Sequence, residues 1–318
     1  MTKKIAVVFN PSKVDTQEIH SAVSQAARTL PGTPEVVWFE TSVEDEGQGV
    51  TQQALDAKAD LVLAAGGDGT VRAVTEAMTH AVGDTTLGII PLGTGNLLAR
   101  NLGIPLNDIS AAFLVAAQGT PTAMDVGELT YRTPEGEKTS VFTVMCGFGL
   151  DAQIMDNVDE DAKEKVGWLA YLGAAQDALS GNDQANVKLS VDDGPDEATS
   201  GHTMLIGNCG QLQGGVAVLP DADPFDGKLD LLLISGGSVG AWADTAKTML
   251  WDKGIKRVFT DDDGEIEDVE GNHTRVLQID KVRVGFDSPQ VIELDGDPLT
   301  DVSDFTASVI PGGVHVSK

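Results

Sequence analysis

The first part of the chain, residues 1–125, alternates between short apolar runs and longer stretches of helical spacing. Runs such as Leu61–Ala65 and Leu87–Pro91 are apolar on both faces and have the length of buried strands. Between such runs, apolar residues recur every three or four positions, which is typical of helices with one buried face. This order predicts a parallel sheet covered by helices on both sides. The predicted strands are 5–10, 36–39, 61–65 and 87–91, and the predicted helices are 16–30, 50–59, 71–82 and 109–118.

After Asp125 the pattern changes to short strands separated by clusters of glycine, proline, aspartate and asparagine. This spacing is typical of an antiparallel sandwich. Two stretches of helical spacing, Ala162–Leu179 and Val239–Trp251, interrupt the strands, and the acidic segments 192–197 and 261–270 are predicted loops. We therefore expect an α/β domain over residues 1–127 and a mostly antiparallel β-sandwich over 128–304. The predicted strands are 128–132, 140–146, 186–191, 202–209, 229–234, 275–279, 282–286 and 291–294.

Charge limits the partners of this 318-residue chain. It carries 49 acidic and 21 basic side chains, a net charge of −28, which repels the phosphate backbone of nucleic acids and anionic lipid headgroups. Nucleic-acid binding is therefore not expected. Cys146 and Cys209 lie far apart in apolar stretches and fit neither a zinc site nor a disulfide framework. Together with the lack of a signal peptide and of a long apolar run, they predict a cytoplasmic protein.

The strongest chemical signal is a glycine-rich loop, Gly66-Gly67-Asp68-Gly69-Thr70, between a buried strand and a helix. Glycines let backbone amides approach a phosphate closely, and the N-terminus of the following helix attracts the same anion. Thr70 lies near the helix start, where its hydroxyl either caps an amide or contacts an anion. Asp68 would repel a polyphosphate unless Mg²⁺ lies between them or the carboxyl group transfers a proton. The alternative is that Asp68 only caps the helix in a tight turn.

A second loop, Pro91-Leu92-Gly93-Thr94-Gly95-Asn96, follows the next buried strand. Loops after neighbouring parallel strands meet at the carboxyl edge of the sheet, where open α/β sheets bind ligands. The pattern is neither the P-loop nor the dinucleotide-binding turn. The two loops together predict a phosphate-binding edge.

The motifs resemble the diacylglycerol kinase catalytic-domain superfamily, in its bacterial lipid kinase branch. They occur in order along nearly the whole chain, which makes the match specific. The resemblance implies a nucleotide domain like those of NAD kinases and phosphofructokinases, followed by a β-sandwich, with strands in residues 305–318 as candidates to complete the first domain. The matching segments are 9–13, 66–70, 91–100, 125–127, 147–151, 220–230 and 295–296.

The resemblance also implies an activity, the ATP-dependent phosphorylation of a lipid hydroxyl, with diacylglycerol as the favoured acceptor. Asp68 would act through a catalytic Mg²⁺. The glycine loops would hold the ATP phosphates, and the nucleotide would lie near the ends of the first two strands. The residues that the resemblance assigns to nucleotide binding are Asn10, Thr41, Gly66, Gly67, Gly69, Thr70, Gly93, Thr94, Gly95 and Asn96.

Two positions depart from the family pattern. Asp297 stands where most members have a glutamate proposed as the base, so its carboxylate reaches one methylene less far. Leu97 stands where many members have an aspartate of the acidic network around Mg²⁺. Asp125 matches another acid of that network and would carry more of its role, although a strand-end aspartate is the plainer interpretation.

The acidic segment 219–230 resembles the structural Mg²⁺ site of the family. The resemblance assigns the metal to the Asp226 carboxylate and to backbone oxygens of Asp223 and Lys228, and hard cations prefer such oxygen ligands. Taken alone, the segment is equally a turn decorated with acids.

The lipid is expected to enter from a membrane surface, with the protein peripheral to the inner face of the membrane. The apolar stretch 166–175, which includes Trp168, suits either that interface or an ordinary buried helix. The sequence leaves open whether the protein forms a homodimer. Two alternatives also stay open, an NAD kinase-like soluble kinase and a catalytically lapsed regulator that binds nucleotide or lipid.

Overall fold

A computed structural model describes residues 3–81, 83–149, 184–212, 217–234 and 274–318. The predicted helices Ala162–Leu179 and Val239–Trp251, the stretch 166–175 and the acidic segment 261–270 lie outside these described residues. The first half alternates strands and helices as the apolar pattern predicts. Its elements are β1 Lys4–Phe9, α1 Thr16–Ala27, β2 Glu35–Glu40, α2 Gln48–Asp56, β3 Leu61–Gly66, α3 Asp68–Thr79, β4 Thr86–Pro91, α4 Leu97–Asn101 and α5 Ile109–Gln118.

The second half is built from strands in the described residues. Its two longest strands lie near the C-terminus, with 14 and 21 residues. The elements are β5 Pro121–Thr133, β6 Gly136–Phe142, β7 Met145–Phe148, β8 Ala185–Val191, β9 Glu197–Gly201, β10 Thr203–Gly207, β11 Leu229–Ile234, β12 Thr274–Ile279, β13 Lys281–Leu294 and β14 Asp297–Ser317.

One hydrogen-bonded sheet joins the two halves. β1 to β4 are parallel, in the order β4-β3-β1-β2, whereas most later strands pair antiparallel. The link is β14, whose first part pairs antiparallel with β13 and whose residues His315 and Val316 pair parallel with β4. The predicted fold class, a parallel α/β sheet followed by a mostly antiparallel β region, is therefore confirmed.

Alternating side chains of the central strands enter two different hydrophobic cores. In β10, Leu205 packs in the core that contains the parallel strands, whereas Met204 and Ile206 pack in the core of the second half. Leu232 of β11 likewise faces the first core, while its neighbours Leu231 and Leu233 face the second. Because side chains on a strand alternate between faces, these strands form a layer shared by both cores.

Several element boundaries differ from the sequence prediction. α3 begins at Asp68 rather than near 71, because the Val71 amide donates to the Gly67 carbonyl and closes the first helical turn. The predicted strand 140–146 is two strands, since the Thr143 and Val144 amides between them donate to the carboxylate of Asp295 instead of to a strand.

The sequence predicts separate strands at 282–286 and 291–294, but in the structure both belong to β13. The strand continues between them with a register shift between Gly285 and Gln290. Pro289 lies in this irregular stretch, where no ladder amide is required of it. Helix α4 was not predicted at all. Within the described residues, no helix combines the length and the apolar character needed to span a bilayer.

The final residues of β14 should contribute strongly to stability, because Val316 is fully buried between β4 and β5. Val316→Ala is expected to lower the free energy of unfolding by about 2 kcal/mol, through lost burial and the cavity left behind. Urea unfolding measures this loss. The control is Val291→Ala, at a position 54% exposed, which should change stability little. Equal effects of the two substitutions would contradict this account of β14.

Candidate nucleotide and acceptor site

The carboxyl ends of the four parallel strands lie side by side at one edge of the sheet. The Asn10 amide, just after β1, donates to the Ala65 carbonyl of β3 at 3.0 Å, and the Thr41 amide after β2 donates to the Phe9 carbonyl at 3.0 Å. Thr41 is 5% exposed. The Oδ1 of Asn10 accepts hydrogen bonds from the backbone amide and the hydroxyl of Ser12. These two predicted nucleotide residues thus lie at the same edge as the glycine loops.

The two glycine loops are in direct backbone contact. The Leu92 amide donates to the Gly66 carbonyl at 2.8 Å, which continues the β3–β4 pairing into the loops. A Cβ at Gly93 would lie 2.6 Å from the Cα of Gly67, and a Cβ at Gly66 would lie 2.5 Å from the side chain of Thr70. Glycine at position 93 therefore allows the two loops to approach closely, and glycine at position 66 leaves room for Thr70 within the first loop.

Asp68 bridges the loops through its carboxylate. One oxygen accepts from the Asn96 amide at 2.8 Å and the other from the Leu97 amide at 2.6 Å. These amides are at the start of α4, so Asp68 satisfies donors that this helix cannot satisfy itself. Burial raises the pKa of the Asp68 carboxyl, the Leu97 amide opposes this, and the nearby Asp295 adds to the rise.

Asn96 shapes the second loop with its side chain. Its Oδ1 accepts from the Gly93 amide at 2.9 Å, and its Nδ2 donates to the Gly93 carbonyl at 2.7 Å. Its backbone is left-handed, with φ 49°, which asparagine tolerates better than most residues. The Arg100 Nε donates to the Gly95 carbonyl at 2.6 Å. Thr94, at the tip of this loop, is exposed.

The start of β14 brings Asp297 to the first glycine loop. A Cβ at Gly69 would lie 3.7 Å from Oδ2 of Asp297. The same oxygen accepts from Arg72 of α3 at 2.6 Å. Asp297 is thus placed beside the N-terminus of α3, although 225 positions separate it from Arg72.

Asp295 fixes the hairpin that carries Asp297. Its buried carboxylate accepts from the amides of Thr143, Val144 and Met145 and from the Thr143 hydroxyl, at 2.8–3.0 Å. Burial raises the pKa of this carboxyl in spite of these donors. In the sequence, Asp295 belongs only to a segment that matches the family, and its anchoring role is not predicted.

Asp125 joins two other segments. One carboxylate oxygen accepts from the Gly227 amide and the other from the Gly312 amide, both at 2.7 Å. The second bond lies where β14 shifts register against β5, between Ile310 and Val314. Both oxygens therefore accept hydrogen bonds from backbone amides. The role of Asp125 in a catalytic acidic network stays a prediction. The side chain of Leu97, the other departure in that network, packs in the first core.

The acidic loop 219–230 is held mainly by its own backbone. Asp223 accepts from the Phe225 amide, and Asp226 accepts from the Lys228 amide at 2.9 Å and from Gln278 Nε2 at 3.0 Å. The Lys228 ammonium pairs with Asp280 at 2.7 Å. Over the ranges that the structure describes, no group of three or more His, Cys, Asp and Glu side chains forms a metal-binding cluster.

Asp230 is a residue of this region that sequence reasoning did not single out. It is 3% exposed, and its carboxylate has no hydrogen-bond partner among the described residues. Burial, together with the charges of Asp226 and Asp221, raises the pKa of Asp230 to about 7. Its position in the apolar run of β11 was the available signal, because a buried aspartate without a partner is costly.

The paired loops at the edge of a parallel sheet, continued into an antiparallel region, define a class of fold that diacylglycerol kinases and NAD kinases share. A diacylglycerol kinase structure from Bacillus anthracis superposes with a TM-score of 0.69 at 21% identity, over 99% of this chain and 96% of that one. Yeast NADH kinase gives a TM-score of 0.51 at 10% identity, over 99% and 83%.

Sequence comparison gives the family. Residues 4–129 match the diacylglycerol kinase catalytic domain, and residues 144–318 match the YegS C-terminal NAD kinase beta sandwich-like domain. A Pseudomonas aeruginosa protein named "Probable lipid kinase YegS-like" is 30% identical over 73% of this chain and 72% of its own length. One of the same name from Pseudomonas fluorescens is 29% identical over 99% and 95%. The chain belongs to the diacylglycerol kinase catalytic-domain family, in its YegS-like lipid kinase branch.

Gly93→Ala should separate the two loops, because the added methyl group meets the Gly67 backbone rather than a flexible side chain. Overpacking of this kind is expected to cost about 1–3 kcal/mol of unfolding free energy. Gly285→Ala is the matched control, since nothing lies within 4 Å of a Cβ there. Urea unfolding compares the two variants, and a Gly93→Ala protein as stable as the control would show that the loops are not in contact.

Asp230 predicts a pH dependence of stability. Because its pKa rises from the ordinary value of 3.8 to about 7 on folding, the folded state binds this proton more tightly. The stability gained from this proton is fully present below 3.8, the pKa in the unfolded chain, and is lost as pH rises through about 7, the pKa in the folded protein. The measurement is urea unfolding with EDTA present to remove divalent cations. As pH rises from 5 to 8, the free energy of unfolding of Asp230→Asn should increase relative to that of the wild type. The exposed Asp287→Asn is the control, and parallel pH curves for wild type and Asp230→Asn would contradict the prediction.

Proposed function

We propose that this protein is a lipid kinase that transfers the γ-phosphoryl group of ATP to a lipid hydroxyl, with diacylglycerol as the acceptor. The observation that carries the proposal is the pair of glycine loops in backbone contact at the carboxyl edge of the sheet. Family membership supports the same class of reaction. The Pseudomonas relatives are named as lipid kinases, and the similar Bacillus anthracis structure as a diacylglycerol kinase.

The loops would bind the ATP phosphates through backbone amides, aided by the N-terminus of α3. Thr94 is exposed at the loop tip and would donate its hydroxyl to the triphosphate. Asn96 would contribute indirectly, because its side-chain amide is already used to close the loop. Asn10 and Thr41 mark the ends of β1 and β2, where the rest of the nucleotide would lie.

The chemistry of the site fits Mg²⁺, because the Asp68 carboxylate offers the oxygen ligands that this ion prefers. Asp68 would help to hold the ion, since each of its oxygens accepts only one of the two loop amides and keeps another lone pair. When bound, Mg²⁺ neutralises charge on the phosphates and on the phosphoryl group in transfer.

Asp297 would accept the proton of the acceptor hydroxyl. Its Oδ2 is bound to Arg72, whereas its Oδ1 has no partner among the described residues, and the side chain is 56% exposed. In the transfer, the acceptor oxygen forms a bond to the γ-phosphorus and the bond from that phosphorus to the β,γ-bridging oxygen breaks. The hydroxyl proton moves to Asp297, and ADP leaves.

A second cation would stabilise the acidic loop, with the Asp226 carboxylate and the backbone oxygens of Asp223 and Lys228 as ligands. The charge of the loop fits a cation, because the negative charges of Asp226 and Asp221 act on the buried Asp230 and, with burial, raise its pKa. A bound cation would offset this negative charge. Its role would be structural, since Asp125 connects the loop to β5 and β14.

The test of the proposal is phosphate transfer from ATP to a panel of acceptors: diacylglycerol, a sphingoid base and phosphatidylglycerol in mixed micelles, and NAD in solution. We expect phosphatidic acid from diacylglycerol, abolished by EDTA and restored by Mg²⁺. Phosphorylation of NAD alone would instead make the protein a soluble NAD kinase. ATP binding without transfer to any acceptor would make it a lapsed regulator, and either result overturns the proposal.

Asp68→Asn should reduce turnover by about 100-fold or more, because a neutral amide neither attracts Mg²⁺ nor bonds the loop amides equally through both atoms. Turnover is measured with the acceptor that the panel identifies, after urea unfolding has shown that the variant is folded. Asp287→Asn, an exposed aspartate distant in sequence, is the control. Wild-type turnover in Asp68→Asn would show that the loops are not the site.

A further inference from the structure

We propose that Arg72 is a positioning residue that holds the carboxylate of Asp297 for proton abstraction, an inference that rests on the proposed function. Arg72 lies on α3, in the turn that follows the first glycine loop. Asp297 begins β14, in the second half of the sequence. The ion pair between them thus connects the helix that would face the ATP phosphates with the hairpin that would face the acceptor.

The guanidinium group of Arg72 spans the hairpin. One terminal nitrogen donates to the Leu294 carbonyl and the other to Oδ2 of Asp297, both at 2.6 Å. Leu294 and Asp297 are paired residues at the two sides of the turn. An arginine has the fixed fork that makes two such bonds at once, which a lysine does not.

The backbone around Asp297 is already fixed by other contacts. The two turn residues, Asp295 and Gly296, have φ values of 50° and 91°, and positive values at both positions are typical of a tight two-residue hairpin. The Asp295 carboxylate then anchors the turn to four donors of the segment 143–145. The exposed side chain of Asp297 can still rotate about its own bonds, and the ion pair with Arg72 restricts this rotation.

The environment of Arg72 favours this role over direct phosphate binding. Its side chain is only 13% exposed, and both terminal nitrogens already serve the hairpin. Arg72 is largely shielded from water whereas Asp297 is exposed, so the pair depends on the short, charge-assisted contact of 2.6 Å between the two groups. Oδ1 of Asp297 has no partner among the described residues, so the pairing leaves one oxygen for the acceptor proton.

The experiment is a mutant cycle with Arg72→Gln, Asp297→Asn and the double variant, with kcat and KM for ATP measured on the acceptor that the wild type phosphorylates. We expect Arg72→Gln to lower kcat roughly 10- to 100-fold, as for a misplaced catalytic group. KM for ATP should change by less than about threefold, since no contact to the nucleotide is lost. In the Asp297→Asn background, Arg72→Gln should cause no further loss of kcat. Arg72→Lys should recover part of the activity.

Arg132→Gln is the matched control, since Arg132 is an exposed arginine that pairs with Glu137 and Asp304; its kcat should equal that of the wild type. Urea unfolding confirms that each variant is folded. A raised KM for ATP, or losses that multiply in the double variant, would overturn the inference and make Arg72 a phosphate ligand. A wild type that phosphorylates no lipid would instead overturn the proposed function, and with it the purpose assigned to the pair.

Discussion

The contact between the two glycine loops constrains the rest of the site. β3 and β4 are neighbours in the parallel sheet, so their loops leave it side by side, and the close backbone approach requires glycine at position 93. Asp68 then fastens the second loop through two amides at the start of α4. A carboxylate that accepts two amides both shapes the loop and places negative charge in it. In the proposed function, a bound Mg²⁺ would offset this negative charge.

β14 extends this constraint to the second half of the molecule. It begins at Asp297, beside the first glycine loop, and ends in a parallel pairing with β4. Near its C-terminal end, β14 is held at Gly312 by Asp125, which also holds the acidic loop through Gly227. A single strand therefore connects the proposed base, the proposed structural cation and the core of the parallel sheet.

Much of the fold follows from local patterns. Buried strands and one-sided helices are visible as apolar runs and helical spacing, and the rule that parallel strands end at one edge brings the loops together. Helix α4 was missed because it has five residues and begins after a left-handed Asn96. Its cap is the carboxylate of Asp68, 28 positions earlier, which no local pattern reveals. The continuous β14 was equally hidden, because its Pro311 and the two glycines after it are typical of a loop.

The site residues divide in the same way. Gly66, Gly67, Gly93 and Thr94 were predicted from the loops themselves, and the structure brings them together. Arg72 and Asp295 act through partners more than 140 positions away, at Asp297 and in the segment 143–145. Sequence spacing says nothing about such contacts. Asp125 shows the opposite difference. The sequence predicts a catalytic role for it, but in the structure both of its carboxylate oxygens accept from backbone amides.

The most direct test of the loop site is backbone amide hydrogen exchange with and without a non-hydrolysable ATP analogue and Mg²⁺. If both loops hold the triphosphate, the analogue should slow exchange at residues 67–70 and 94–95 together, since the Gly93, Asn96 and Leu97 amides are already bonded within the loops. Asp68→Asn should weaken the protection at both. Protection confined to one loop, or found elsewhere in a protein that still transfers phosphate, would contradict the account.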